Sequence, residues 1–267
     1  MIRRKNKFKK FQKFRKQKKI YEDKTFWIFI FLFLLLFSLF YLFCFYDLFQ
    51  VKEIKITGNE KIKTINLFRT VDDLSNNKIF SYPTKSIFLV NVPSIVNEIY
   101  ERFPQIDNIE FKREFPSILS LKVEERIPLI VFSDENKDFL VDKKGIAFEE
   151  IDQVNSFRVK KQEENYSIAL SSQVIDPDLL VKIISIAEII QQDLQINLKE
   201  FLIVSQERIN IVTSEGWSIY IDPKRDLEWQ LTKLKTDLTQ EIPAESRGSL
   251  EYIDVRFSNF APYKYKD

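Results

Sequence analysis

The chain has 267 residues, with 41 Lys and Arg against 39 Asp and Glu, no histidine, one cysteine and four glycines. Without histidine there is no Ser-His-Asp or Cys-His nucleophile pair and no imidazole metal site, and a lone cysteine allows no intramolecular disulfide. Four glycines and no G-x-x-x-x-G-K-[ST] or G-x-G-x-x-G string leave no phosphate cradle of those kinds, and among the many acids that could act as paired carboxylates no pair stands out.

The net charge of +2 hides a division. Residues 1–24 hold 12 basic and 2 acidic side chains, a net of +10; the remainder holds 29 basic and 37 acidic, a net of −8. Phe8, Phe11 and Phe14 interleave with the lysines, as stacking contacts of a nucleic-acid arm would. A basic flank beside a membrane span explains the same charges, and no nucleic-acid partner is expected.

From Phe26 to Tyr46 the sequence FWIFIFLFLLLFSLFYLFCFY is uncharged. As a helix it reaches roughly 32 Å, the thickness of a bilayer's hydrocarbon core, so a transmembrane helix is expected over 25–46. It ends in Phe45-Tyr46-Asp47-Leu48-Phe49, without the small residues of a cleavage site, so it is read as retained rather than as a signal peptide. The positive flank puts residues 1–24 in the cytoplasm and about 220 residues on the far side of the cytoplasmic membrane.

Past this span, VKEIKIT at 51–57 reads as a strand ended by a Gly58-Asn59 turn. Ile65, Leu67, Phe68, Val71 and Leu74 recur at helical spacing over 63–74, and Asn76-Asn77 stops that helix. A strand-like or looped stretch with Tyr82-Pro83 follows. A second helix starts at Asn91 and Pro93, with Ile95, Val96, Ile99 and Phe103 as its stripe, and ends at Pro104. Ile109 and Phe111, then Leu119, Leu121 and Val123, alternate with polar residues on either side of Phe115-Pro116-Ser117, which predicts a hairpin. Three strands backed by two helices make a small α+β unit.

The residues Gly58, Asn59, Pro104, Arg113, Phe115, Pro116, Leu119, Leu121, Val123, Glu125, Arg126 and Pro128, in this order, resemble the POTRA domain of FtsQ/DivIB-type cell-division proteins. Phe115 stands where many members have Trp, and keeps a large ring.

Further along, Leu129–Phe132 is expected as a strand, and 139–148 as strand, turn and strand. The charges Asp142, Glu149, Glu150 and Asp152 lack the spacing of a calcium loop and read as solvated turn charges. Asp176-Pro177 opens a helix with Leu179, Leu180, Ile183, Ile186, Ala187 and Ile190 on one face. Strands fit 201–204, 208–212 and 217–221. Asp222-Pro223 precedes a helix carrying Leu227, Leu231, Leu234 and Leu238, too short for a coiled coil. The last strand is expected at Leu250–Phe257, with Ile253, Val255 and Phe257 on one side and Tyr252, Asp254 and Arg256 on the other.

The string I-D-V-R-F at 253–257 resembles the family's C-terminal I-D-L-R-Y, so the resemblance runs along nearly the whole chain. It implies an α+β protein: a basic tail (1–24), one N-terminal transmembrane helix (25–46), a POTRA domain (51–126), a mixed, mostly antiparallel β domain with two helices (127–260) and a tail (261–267). It implies a non-enzymatic divisome scaffold without cofactor, metal or small-molecule substrate, which binds FtsB (DivIC in some lineages) together with FtsL and holds them near the septal wall synthase at the division septum.

A final strand at a sheet's border, offering unpaired backbone groups, would take the partner by strand addition. The residues matching the contact region are Asp254, Arg256, Phe257, Asn259 and Tyr265. Phe260-Ala261-Pro262 departs from the family pattern, and Pro262 lacks an N–H for such pairing. Lys264 and Lys266 could instead blunt that border. The exposed faces of 63–74 and 88–103 are expected to meet other division proteins. The reading from another class is a membrane-anchored envelope enzyme or sensor with a POTRA-like docking domain; the ~140 residues left after that domain are too few for a β-barrel.

Overall fold

A computed structural model describes residues 23–79, 81–154, 156–163 and 166–266. The basic tail, with its interleaved phenylalanines, lies outside the described residues. The fold is α+β. Contacts divide it into two compact units, one of 23–55, 71–92 and 112–120, the other of 56–70, 93–111 and 121–266.

Helix α1 (Lys24–Phe45) starts at Asp23, whose side chain accepts from Thr25 N–H, and its last turn stops at Tyr46. Within it only Cys44 is buried. It is the one described helix long and apolar enough to cross a membrane.

Strands β1 (Glu53–Thr57), β5 (Ile118–Glu125) and β4 (Ile106–Glu114) form a three-stranded sheet in that order. Gly58 has φ +83°, and a Cβ there would lie 2.1 Å from Val123 O, so the turn after β1 requires glycine. Next to it the Glu125 carboxylate accepts from the N–H groups of Glu60, Lys61 and Ile62 at 2.9–3.0 Å, which fixes the turn from the end of β5. Helix α2 (Thr64–Ser75) forms where its periodicity predicts, but on a different face. Leu67, Thr70, Val71 and Ser75 are buried, whereas Ile65 and Phe68 are exposed. Thr70 and Ser75 go inside because their hydroxyls bond the carbonyls of Asn66 and Val71 in their own helix. The stretch around Tyr82 is a hairpin of β2 (Asn77–Ile79) and β3 (Tyr82–Thr84). Helix α3 (Val92–Arg102) buries Ile95 and Ile99.

The larger sheet has nine strands in the order β14-β13-β12-β11-β10-β9-β6-β7-β8. These are β6 (Ile130–Ser133), β7 (Asp138–Val141), β8 (Ala147–Ile151), β9 (Arg158–Lys161), β10 (Leu198–Ser205), β11 (Arg208–Thr213), β12 (Ser218–Ile221), β13 (Leu250–Asp254) and β14 (Tyr263–Tyr265). Neighbours are antiparallel except for β6/β9, β9/β10 and β12/β13.

Helices α4 (Pro177–Gln192) and α5 (Leu227–Gln240) cover one face, burying Phe132, Val159, Phe201, Ile211, Ile219 and Ile253. Asp176 caps α4 through the N–H groups of Asp178 and Leu179. Asp226, not Asp222, caps α5, because Asp222–Arg225 is spent on a turn. The sheet's other face carries paired charges, among them Arg158–Asp138 at 3.1 Å and Lys160–Glu200 at 2.8 Å.

Asp142 departs from the reading of a solvated charge. It is buried, pairs with Arg126, and accepts from Lys144 N at 2.9 Å and Ile146 N at 3.0 Å. Three donors around one carboxylate make this a structural acid. Gly145, three residues on, has φ +75°, and a Cβ there would lie 2.0 Å from Ile175 O. Substitution Gly145→Ala is therefore expected to cost at least ~2 kcal/mol, from strained backbone plus a clash with a main-chain oxygen, measured as a lower midpoint in urea unfolding.

Candidate partner-binding border

Two strands bound the nine-stranded sheet, β8 and β14. β8 is partly covered: Ala147 N donates to Ser172 O at 3.0 Å, and Ser171 N donates to Ala147 O at 2.7 Å. At β14, Pro262 O accepts from Asp254 N at 2.8 Å and Lys266 N donates to Ser249 O at 2.8 Å. Successive residues of a strand turn their backbone groups to opposite sides. The N–H and C=O of Tyr263 and Tyr265 therefore face away from β13.

The strand expected at Leu250–Phe257 is shorter, and it is not the border. β13 stops at Asp254 and lies between β12, parallel to it, and β14, antiparallel to it. The chain then turns at 255–262 and returns. Pro262 leads into the new strand, where its missing N–H costs nothing. A three-residue strand holding tyrosines on either side of a lysine is too brief for alternation to announce it.

Helix α5 fixes that turn. The Lys233 ammonium is buried and donates to Val255 O at 2.7 Å and to Phe257 O. Arg225 donates to Arg256 O at 2.9 Å, and Trp229 Nε1 donates to Ser258 O at 3.1 Å. Three side chains, from the residue before the α5 cap to the helix's second turn, thus hold four consecutive residues by their carbonyls. Burial pushes the Lys233 ammonium down from its ordinary range, with Asp237 and Asp254 opposing that effect.

The five expected contact residues separate into three places. Asp254 is buried and accepts from Arg256 Nε at 2.9 Å and Nη2 at 2.6 Å, a two-pronged ion pair. This hydrogen bond pushes the Arg256 guanidinium up and outweighs burial, which acts the other way. Phe257 does not continue the buried row of Ile253 and Val255. It is exposed and stacks on Phe260, with ring centroids 5.2 Å apart and planes at 9°. Asn259 is exposed in the turn, and Tyr265 lies on β14, its ring 5.7 Å from that of Tyr263.

Neighbours that the sequence reading passed over complete the surface. Tyr220 and Tyr252 stack at 4.9 Å on the face that bears no helices, with the Arg208 guanidinium 4.2 Å from the Tyr220 ring centre. Their signal was present in SIYI and LEYI, where tyrosines alternate with buried isoleucines. Lys264 pairs with Glu251 at 2.6 Å. Its charge is thereby held on the sheet's face and leaves the open backbone groups of its two neighbours uncovered.

Comparison with known proteins covers the sheet up to the turn before this border. A family model described as "Cell division protein FtsQ/DivIB, C-terminal" matches residues 130–256, from the start of β6 to just past the end of β13. Over this segment the chain is similar to cell-division proteins of the FtsQ/DivIB type. It is 26% identical over 224 residues to a cell division protein DivIB of Clostridium tetani, across 80% of this chain and 79% of that one. It is 20% identical over 162 residues to a cell division protein FtsQ of Neisseria gonorrhoeae, across 61% of each. Similarity to these division proteins together with an N-terminal apolar helix of this length fits a single-pass membrane protein. The matched segment includes Asp254 and Arg256 and stops before Phe257, Asn259 and Tyr265.

The α5 clasp yields two expectations. Lys233→Met keeps the stem and removes the donor to two carbonyls; it is expected to cost ~1–3 kcal/mol and to speed amide exchange at 255–258. Burial also pushes the Asp237 carboxyl up, and its Oδ2 has no partner among the described residues. The native state then holds this proton more tightly than the unfolded chain, so Asp237 costs stability as pH rises through the carboxylate range. Asp237→Asn should raise the melting temperature at pH 7 and leave it unchanged near pH 3.

Proposed function

We propose that this chain is a non-catalytic, single-pass division scaffold that captures a small membrane-anchored division protein of the FtsB/DivIC kind, paired with an FtsL-like chain, by strand addition at β14. The observation that carries this reading is the outward backbone of Tyr263 and Tyr265 at the less covered border of a sheet whose sequence matches the division family. An extended segment laid there would gain main-chain hydrogen bonds, and alternate side chains would be read by what flanks the strand.

On one side of that strand stand Tyr263 and Tyr265, and on the other Lys264, Tyr252 and the Arg256–Asp254 pair. The stacked Phe257 and Phe260 extend the surface past the strand's start. Tyrosine, phenylalanine and arginine in one exposed area are the side chains that dominate binding energy at interfaces.

The net of +10 over residues 1–24 sets the N-terminus in the cytoplasm and the folded units on the far side of the cytoplasmic membrane. Holding the partner pair there places it beside the septal wall synthase during division. The exposed faces of α2 and α3 are left for further division proteins.

Proline at the two outward positions tests the reading. In Tyr263→Pro/Tyr265→Pro the lost N–H groups bond nothing within the sheet, so folding should persist while capture of the partner's extracytoplasmic segment weakens about tenfold or more. Phe257→Glu should weaken capture as well. Undiminished capture by the folded double variant would remove strand addition from the account, and normal septa on depletion of the chain would remove the role in division.

A further inference from the structure

The last turn of α1 has carbonyls without helical partners, and side chains from beyond the helix fill them. Ser86 Oγ donates to Phe43 O at 2.7 Å. Thr84 Oγ1 donates to Cys44 O at 2.5 Å, and Gln50 Nε2 donates to the same oxygen at 3.1 Å. Gln50 Oε1 in turn accepts from Lys85 N at 2.8 Å. Cys44 is 4% exposed as a result. The β2–β3 hairpin and the segment after it are therefore built onto the end of the apolar helix.

A chain of rings leads outward from the same point. Phe43 lies 5.5 Å from Phe49 and 5.1 Å from Phe88, and Phe88 lies 5.3 Å from Phe115 at the tip of the β4–β5 turn. Near the helix end, Tyr41, Phe45, Ile79, Tyr82 and Pro83 line a cleft. Phe115 is 60% and Tyr82 70% exposed, although both are large and mostly apolar. Glu114, the acid beside Phe115, is paired with Lys55 at 3.4 Å.

Height decides what meets these rings. From Phe26 to Phe45 the helix rises about 30 Å, the thickness of the hydrocarbon core. Phe43 then sits at the boundary of that core. Phe88 touches it and Phe115 touches Phe88, so both lie within two ring contacts of that boundary.

We propose that the β4–β5 turn and the β2–β3 hairpin dip into the headgroup layer, with Phe88, Phe115 and Tyr82 as lipid-binding residues. This rests on α1 spanning the bilayer. The occupant is the lipid surface itself, since the exposed rings continue the helix's own apolar surface at the depth where aromatic side chains are most at home. Anionic lipid is not required, because the contact is made by rings rather than by a cluster of cations.

The test uses the full-length chain in phosphatidylcholine vesicles. Trp27→Phe removes the tryptophan in the helix; the emission of that single variant, from buried Trp217 and exposed Trp229, is subtracted as background under each lipid. Phe115→Trp and Tyr82→Trp report the two tips, and Phe37→Trp reports the middle of the span. Lipid brominated near the headgroup end of its chains is expected to lower the emission of both tip reporters about twofold against unbrominated lipid, while lipid brominated deep in its chains quenches Phe37→Trp. Quenched Phe37→Trp with unquenched tips would overturn the lipid contact and keep the span. Tips that emit at short wavelength yet escape quenching would mean protein covers them, and would also overturn it. An unquenched Phe37→Trp would remove the span and this inference together.

Discussion

The nine-stranded sheet is covered on one face only, and most of the functional geometry depends on that. Helices α4 and α5 bury a continuous row from Phe132 through Val159, Phe201, Ile211 and Ile219 to Ile253. Burial of this kind is the main favourable term in folding, and it fixes the register, since a slip by one residue would turn the row to solvent. The opposite face then has to be held by other means. It carries the Arg158–Asp138 and Lys160–Glu200 pairs, the Tyr220–Tyr252 stack and the Arg208 guanidinium. Exposed pairs like these contribute little stability each. What they supply is a defined polar and aromatic relief next to a border strand.

That border is itself a product of the covering helix. A strand of three residues has little hold of its own on the sheet. It is brought back to β13 because Lys233, Arg225 and Trp229 grip the carbonyls of the turn before it. The family match ends at residue 256, within that turn, so the gripped carbonyls of Phe257 and Ser258 and the border strand lie outside the matched segment. The similarity to the family rests on the sheet, whereas the proposed manner of partner capture rests on the turn and the strand after it.

Much of this was readable from residue order. The apolar run, the α4 cap at Asp176, the Phe115-Pro116-Ser117 hairpin and the strands alternating around Ile209, Ile211, Ile219 and Ile253 all follow from period and punctuation. Besides the short border strand, three things did not. β9 reads Arg-Val-Lys-Lys, and only Val159 is buried, because a strand inside a sheet covered on one face may keep charges on the other. Asp142 appeared among turn acids, and its burial depends on Arg126, sixteen residues away. The α2 face was misjudged because Thr70 and Ser75 hide their hydroxyls in the helix and pack like small apolar groups. Each miss involves a polar side chain whose partner is not its neighbour in sequence, or one that bonds its own backbone. Such pairings leave no periodic trace.

The hydroxyl caps on the carbonyls of Phe43 and Cys44 carry a mechanical meaning. A span joined to its outer segment through a loose linker could spin and lean without moving what it anchors. Here the joint is made of short hydrogen bonds and packed rings, so torque or tilt applied to the helix within the lipid is delivered to the hairpin it is bonded to. The helix is joined to that hairpin as an axle rather than as a string.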